Sequence, residues 1–392
     1  MDVADLDLFS PDFLADPYPV HAALREAGGA VWLPRRGTWV SARYPEVQAA
    51  LRDGRTFCSG RGVGIVDFRR EPPWRLPSPL LEVDPPQHNR ARRVVAQVLS
   101  PAAVRKLAGR FAAVAEQFVQ CLANGEPFDA IADLATPYPL QVFGEAFGLP
   151  AERRKSAMAG ARVVWNPGVP RVDLLDSPVP ESGPSWEWIM ENCGPAALLP
   201  GGMGSEVHRL AAAEGFAPRE AALLVRTLLS AGVDTRVHAL GNALWCLAGH
   251  PDQYARLQAD PRLVPNAFEE VLRFESPAQV FFRTAARDID LGGAAVPAGS
   301  KVMLLIGAAN RDPHRWPAAG TFDVTRRTSG HLAFGFGIHA CIGMLMARLE
   351  AKAVLGAVTR HVSAIEPAGE PKRMVHSTLR GFQHLPLRFV PR

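Results

Sequence analysis

"HLAFGFGIHACIGMLMARLEAK", from His331 to Lys352, decides how the rest of the chain is read. It brings a glycine-rich turn, two histidines and a cysteine to the start of a run whose apolar residues recur at helical spacing. Gly335, Gly337 and Ala340 satisfy G-x-G-x-x-G/A, the turn that cradles a dinucleotide. That turn needs a strand before it, a βαβ frame and an acid about 20 residues on. Here "RTSGHLAF" precedes it and Arg360-His361 occupy the acid's place, which argues against a dinucleotide. Cys341 could instead be a nucleophile, its thiolate stabilised by the helix N-terminus. His339, two residues away, is not an independent base, and the ordinary state of a lone cysteine is a buried, inert thiol. A third reading uses every unusual residue at once and needs the rest of the chain.

Nearly half of the 392 residues are apolar and about a fifth are charged, enough to bury a sizeable core. No Gly/Ser tract, charge block or repeat marks a seam, so a single domain over residues 1–392 is expected. The net charge of +4 comes from scattered arginines, which excludes nucleic acid and a membrane surface as expected partners. The N-terminus "MDVADLDLFSPDFLADPYPV" carries acids where a signal peptide needs cations, and no run approaches ~20 uninterrupted apolar residues. A cytoplasmic protein is expected. Its five cysteines are far apart and form no C-x-x-C pair, against a disulfide framework or a structural zinc.

Along the chain, "AVWLPRRGTWVS" predicts two short strands around a turn and "ARYPEVQAALRD" a helix from near Pro45. "DPPQHNRARRVVAQVLS" opens a mainly helical region reaching to about residue 275. The proline-rich stretch from Trp165 to Gly202 resists assignment, reading equally as a lid or a surface excursion. The segment from Pro218 to Gly249 predicts one buried helix of roughly 45 Å. Ser230, Gly232, Asp234 and Thr235 interrupt its apolar centre, where a glycine costs about 1 kcal/mol, so something polar must be served there. "PNAFEEVLRFESP" predicts a short helix with Glu270 and Arg273 on one face. A second β region follows with a hairpin at Gly292-Gly293, and a final helix runs from Cys341 to about His361 with Ile342, Leu345, Leu349 and Ala353 inward.

Phe334, Gly337, His339, Cys341 and Gly343 spell F-x-x-G-x-H-x-C-x-G, a loop that presents a thiolate to a haem iron, its glycines letting backbone approach the ring and turn N–H groups onto sulfur. With this motif the chain resembles the cytochromes P450 of the soluble bacterial class along essentially its whole length. The resemblance implies a mainly α fold with a smaller β region, a triangular prism with haem between the long central helix and the cysteine-loop helix. It implies haem b ligated by Cys341, and His88, Arg92, Arg283 and His339 beside the haem propionates, with Phe334 on the ring. Glu270, Arg273 and Arg326 correspond to a buried structural ion cluster. Ala231, Gly232, Asp234 and Thr235 correspond to the acid–alcohol pair beside bound dioxygen. After Thr235 the family usually has a second hydroxyl residue; here Arg236 stands, free to pair with Asp234 or face outward.

"TFCSGRGVGI" and "LLVRTLLSAGVDT" are similar to the monooxygenases of para-substituted benzoates such as 4-methoxybenzoate. That likeness implies a flat apolar slot whose far end holds a carboxylate through Arg61, Arg226, Thr227 and Ser230, with Trp165 and Phe281 as aromatic walls. Gly168 stands where a second aromatic is expected, which changes the slot and makes neutral methoxyphenols of the guaiacol or syringol type the alternative substrate. A haem-thiolate sensor or a peroxide-driven enzyme would not need the Asp234-Thr235 pair. With no reductase segment in the chain, the resemblance implies a monomer taking electrons, ultimately from NAD(P)H, through a separate ferredoxin and ferredoxin reductase.

Overall fold

The computed structural model describes residues 6–73, 75–154 and 185–392. Helices dominate, and a five-stranded sheet lies at one side in the order Val31–Leu33, Thr38–Ser41, Lys301–Leu305, Val280–Ala285, Phe57–Cys58. Its first hairpin pairs Trp32 with Trp39 around the Pro34–Arg36 turn, as the alternation of "AVWLPRRGTWVS" predicts. Thr38–Ser41 and Lys301–Leu305 run parallel; the other pairings are antiparallel. A smaller sheet joins Pro127–Asp129, Pro386–Pro391 and Val362–Pro367. Gly292 and Gly293, at φ +61° and +89°, turn the Ile289–Leu291 and Ala294–Val296 hairpin with the left-handed backbone that glycine adopts without strain.

Helices start where their first turns favour it. Tyr44–Arg52 has proline in its first turn, and Gln87–Val98 follows Pro86. Pro218 opens the next long element, and the Glu220 carboxylate accepts the Ala217 N–H at 2.7 Å. The single helix predicted to Gly249 is two: Pro218–Ala231 and Asp234–Gly249, broken at Gly232 and Val233. The second is buried nearly all round, which makes it central to the core.

Two further expectations need correction. The C-terminal helix is Met344–His361, beginning three residues after Cys341 because residues 337–339 form a 3-10 turn and Gly343 takes the cap position. Its most buried face is Met346, Glu350, Val354 and Val358, packed toward Ala108–Leu122; of the residues expected inward, Ile342, Leu349 and Ala353 are partly buried against the same core, while Leu345 is 37% exposed. From the proline-rich stretch, a helix spans Trp186–Cys193; Trp165 and Gly168 lie outside the described residues. Among the described residues no helix is long and apolar enough to cross a membrane.

Candidate active site

The cysteine loop is shaped by two left-handed glycines, Gly335 at φ +68° and Gly337 at φ +73°. A Cβ on Gly337 would sit 2.6 Å from the Leu51 carbonyl oxygen, so only glycine lets the loop lie against the helix Tyr44–Arg52. The Cys341 N–H donates to the Phe334 carbonyl at 2.7 Å and closes the loop, and the Gly343 N–H donates to the cysteine sulfur. Burial pushes the Cys341 thiol up, while the Gly343 bond and the guanidinium groups of Arg92, Arg236 and Arg348 oppose it without winning. Left to itself this thiol stays protonated, which argues against a free nucleophile; a bound metal ion would deprotonate it.

Cys341 forms part of the wall of a large, mainly apolar cavity. One side comes from the interrupted helix pair through Ala231, Gly232 and Thr235, the other from Phe334 and Cys341. His88, Arg92, Arg283 and His339 also line it. Among the described residues the Nε2 atoms of His88 and His339 are buried without a partner, and the Arg283 guanidinium bonds only its neighbour's carbonyl, Phe282 O, at 2.8 Å. Burial, followed by the nearby Arg283, His88 and Arg92, holds His339 down to about 3, so it is neutral at ordinary pH. Unpaired donors around an apolar cavity with sulfur in its wall fit a haem whose propionates accept from these groups.

At the helix interruption, the Thr235 hydroxyl donates to the Ala231 carbonyl at 3.3 Å, and Asp234 begins the second helix as a buried residue. Arg236 turns inward: its Nη1 bonds Glu350 on the C-terminal helix and its guanidinium lies 4.1 Å from the Phe143 ring centre. Of the two placements left open for it, the outward one does not hold, because a buried carboxylate and an aromatic face are waiting for it.

The expected carboxylate-binding residues divide. Arg226 is fully buried; Nη2 donates to Leu76 O at 3.0 Å, and Nε and Nη1 find no partner among the described residues. Thr227, which lines the cavity, donates to Leu223 O at 2.8 Å and lies 2.9 Å from the Ser78 hydroxyl, so Ser78 is the donor of that pair. Ser230 and Phe281 line an adjoining cavity together with Arg75, which donates two hydrogen bonds to the Glu82 carboxylate at 2.8 and 2.8 Å. Neither Arg61 nor Arg226 is among the lining residues of either cavity, but Arg226 adjoins the lining residue Thr227 and keeps two donor atoms unpaired among the described residues. Arg61 bonds Asp67 through Nε at 3.1 Å and through Nη2, and its own carbonyl and that of Gly62 accept from the Lys301 ammonium at 3.0 and 2.7 Å. The assignment of Arg61 to the pocket is thus corrected: a carboxylate six residues on satisfies its guanidinium. Arg75 and Ser78, in the unexamined "WRLPS", are the residues the sequence reading missed.

Glu270 and Arg273 form a bond pair at 2.7 and 2.7 Å with no exposure, and Arg326 joins Glu270 at 3.2 Å. Arg273 also donates to the carbonyls of Asn310 and Ala319. The neighbouring Glu269, also missed, accepts from Arg348 at 2.7 and 2.9 Å and bonds His331 at 2.9 Å, tying the helix Val264–Glu275 to both ends of the cysteine loop.

The sequence profile of the cytochrome P450 family matches residues 206–389. The chain is 49% identical to cytochrome P450 CYP199A2 of Rhodopseudomonas palustris, over 98% of this chain and 94% of the relative. It is 32% identical to a vitamin D(3) 25-hydroxylase of Pseudonocardia autotrophica, over 98% of this chain and 97% of the relative. The solved structure of cytochrome P450 CYP109Q5 from Chondromyces apiculatus superposes with a TM-score of 0.84 at 32% identity, covering 100% and 99% of the two chains.

Proposed function

The chain belongs to the cytochrome P450 family of haem-dependent oxidoreductases, and on that premise we propose that it is a monooxygenase of small para-substituted aromatic acids, with 4-methoxybenzoate as the type substrate. The observation that carries the substrate class is Arg226, fully buried with two donors unpaired among the described residues, next in sequence to the cavity-lining Thr227. Such a group costs about 1–3 kcal/mol per unpaired donor, more when charged, and a substrate carboxylate would offset that cost. Ser78 and Ser230 lie in the same region and add hydroxyl groups, the Arg75 charge there is balanced by Glu82, and Phe281 offers an aromatic wall. Arg61 has no part in this reading.

Haem, when bound through the Cys341 thiolate, supplies the activation of dioxygen with two electrons and two protons. The Gly343 N–H would tune the sulfur, and His88, Arg92, Arg283 and His339 would hold the propionates. Thr235 offers a hydroxyl at the cavity wall, Asp234 passes protons inward from solvent, and Ala231 and Gly232 leave room beside them. Glu270, Arg273 and Arg326 keep the fold around the loop rigid. For a methoxy substrate, that chemistry would place one oxygen atom of dioxygen into a methyl C–H bond, with the other leaving as water. The resulting hemiacetal breaks its C–O bond, releasing formaldehyde and a phenol. Electrons come from a ferredoxin and its reductase; the exposed Ile338 and Leu345 on either side of Cys341, with the half-exposed Arg348, offer the contact face.

The test is spectroscopic. Reduced protein with carbon monoxide should show the red-shifted Soret band of a thiolate-bound haem, absent in Cys341→Ala. The oxidised protein should change its Soret position with 4-methoxybenzoate and stay unchanged with guaiacol or syringol. The reverse pattern would assign neutral methoxyphenols as substrates instead.

A further inference from the structure

Arg236 stands where the family's second hydroxyl is expected, and its surroundings enclose it on every side described. It is 6% exposed and Glu350 1%. They come from different helices, Asp234–Gly249 and Met344–His361, so their bond joins the segment after the interruption to the helix that leaves the cysteine loop. The guanidinium lies on Phe143, from the helix Pro137–Phe147. A Cβ on Gly232 would meet Arg236 Nη2 and Phe143 Cζ, each at 2.7 Å. The guanidinium therefore occupies the notch that only glycine leaves.

A buried ion pair seldom adds stability over an apolar pair of the same shape, and a glycine in mid-helix costs about 1 kcal/mol. Both features make sense together if they fix a geometry. That geometry is the break at Gly232 and Val233, across which the Thr235 hydroxyl reaches back to the Ala231 carbonyl. Without the wedge, nothing pins the break in one geometry, and the segment across it is free to open and fluctuate.

We propose that Arg236 is a positioning residue for oxygen activation: tied to Glu350 and stacked on Phe143, it holds open the helix interruption from which Asp234 and Thr235 are presented to the cavity. The proposal rests on the reading of Asp234 and Thr235 given above. Burial pushes the Glu350 carboxyl up to about 7, with Arg236 opposing that rise, so its protonation reports whether the pair is intact.

The experiment uses the haem-loaded full chain with Arg236→Met, Arg236→Lys, Thr235→Ala and the double variant Arg236→Met/Glu350→Gln. In Arg236→Met the amides of residues 232–237 should exchange with solvent at least about tenfold faster, with those of residues 219–228 unchanged. At mildly alkaline pH an infrared band of a protonated buried carboxyl should appear in Arg236→Met and be missing in the double variant. The fraction of electrons lost as hydrogen peroxide should rise at least about threefold. Arg236→Lys keeps a cation beside Glu350 but loses the flat contact with Phe143. It should show smaller changes of the same kind and no infrared band, and it decides alone if the methionine variant does not fold. Faster exchange spread evenly over the core, or unchanged peroxide release, overturns the proposal. If Thr235→Ala raises peroxide and the Arg236 variants do not, Arg236 alone loses its role. If Thr235→Ala changes nothing, the assignment of Thr235 falls and the proposal falls with it.

Discussion

The imidazole rings of His88 and His339 lie 4.3 Å apart, centre to centre, and each keeps its Nε2 buried without a partner among the described residues. One ring comes from the helix Gln87–Val98 and the other from the turn before Cys341, so a haem would be gripped from two unrelated elements. Replacing either histidine by phenylalanine keeps the ring packing and removes the donor. Haem transfer to an acceptor such as apomyoglobin should become about 10–100-fold faster, the equivalent of one hydrogen bond to a charged group.

Arg226→Met should weaken binding of 4-methoxybenzoate by about 10–100-fold while leaving a neutral arene such as 4-methyltoluene within about threefold, since only the charge-assisted bonds are lost. Spectral titration of each ligand reads the difference. Arg61→Leu should affect both ligands alike, because its guanidinium is spent on Asp67.

Glu270→Ala leaves Arg273 buried at 0% exposure with its main partner gone. Breaking a buried pair from one side costs about 3–5 kcal/mol. Spread over the unfolding entropy of a chain this long, that should lower the thermal midpoint by about 5 °C in scanning calorimetry.

Glu269 gives a pH signature. Burial alone would raise its carboxyl, but the bonds from Arg348 and His331 outweigh it and hold it down to about 2 against an ordinary 4.5. The unfolded chain then binds the proton more tightly than the folded one, so this contribution to stability is full above pH 4.5 and is lost as pH falls toward 2. Glu269→Gln should flatten the fall in denaturation midpoint across that acid window. An unchanged slope would mean the bonds with Arg348 and His331 contribute nothing.

Much of this molecule is legible in its sequence, because the informative residues act locally. The cysteine loop reads from the glycines that permit it, and the hairpin at Gly292-Gly293 from its backbone requirement. The helix break does not read, since Ser230, Gly232, Asp234 and Thr235 mark a polar interruption but not a gap in the backbone, and the partners that hold Arg236 there, Phe143 and Glu350, lie far away in the chain. Arg61 misleads for a related reason. Charge and position suit a carboxylate pocket, and only the fold reveals that Asp67 satisfies the side chain while Lys301 holds the backbone. The last helix starts later than expected because a 3-10 turn precedes it, and of the residues expected inward only Leu345 is exposed, differences that residue spacing alone does not carry.

The grip of Lys301 on the carbonyls of Arg61 and Gly62 is followed directly by the Phe282 N–H donating to Val63 O at 3.1 Å. Three successive backbone oxygens are thereby riveted to a sheet. Ligand traffic cannot use this stretch as a door swinging outward; it has to pass by some other wall. Anyone engineering faster entry would do best to leave residues 61–63 alone.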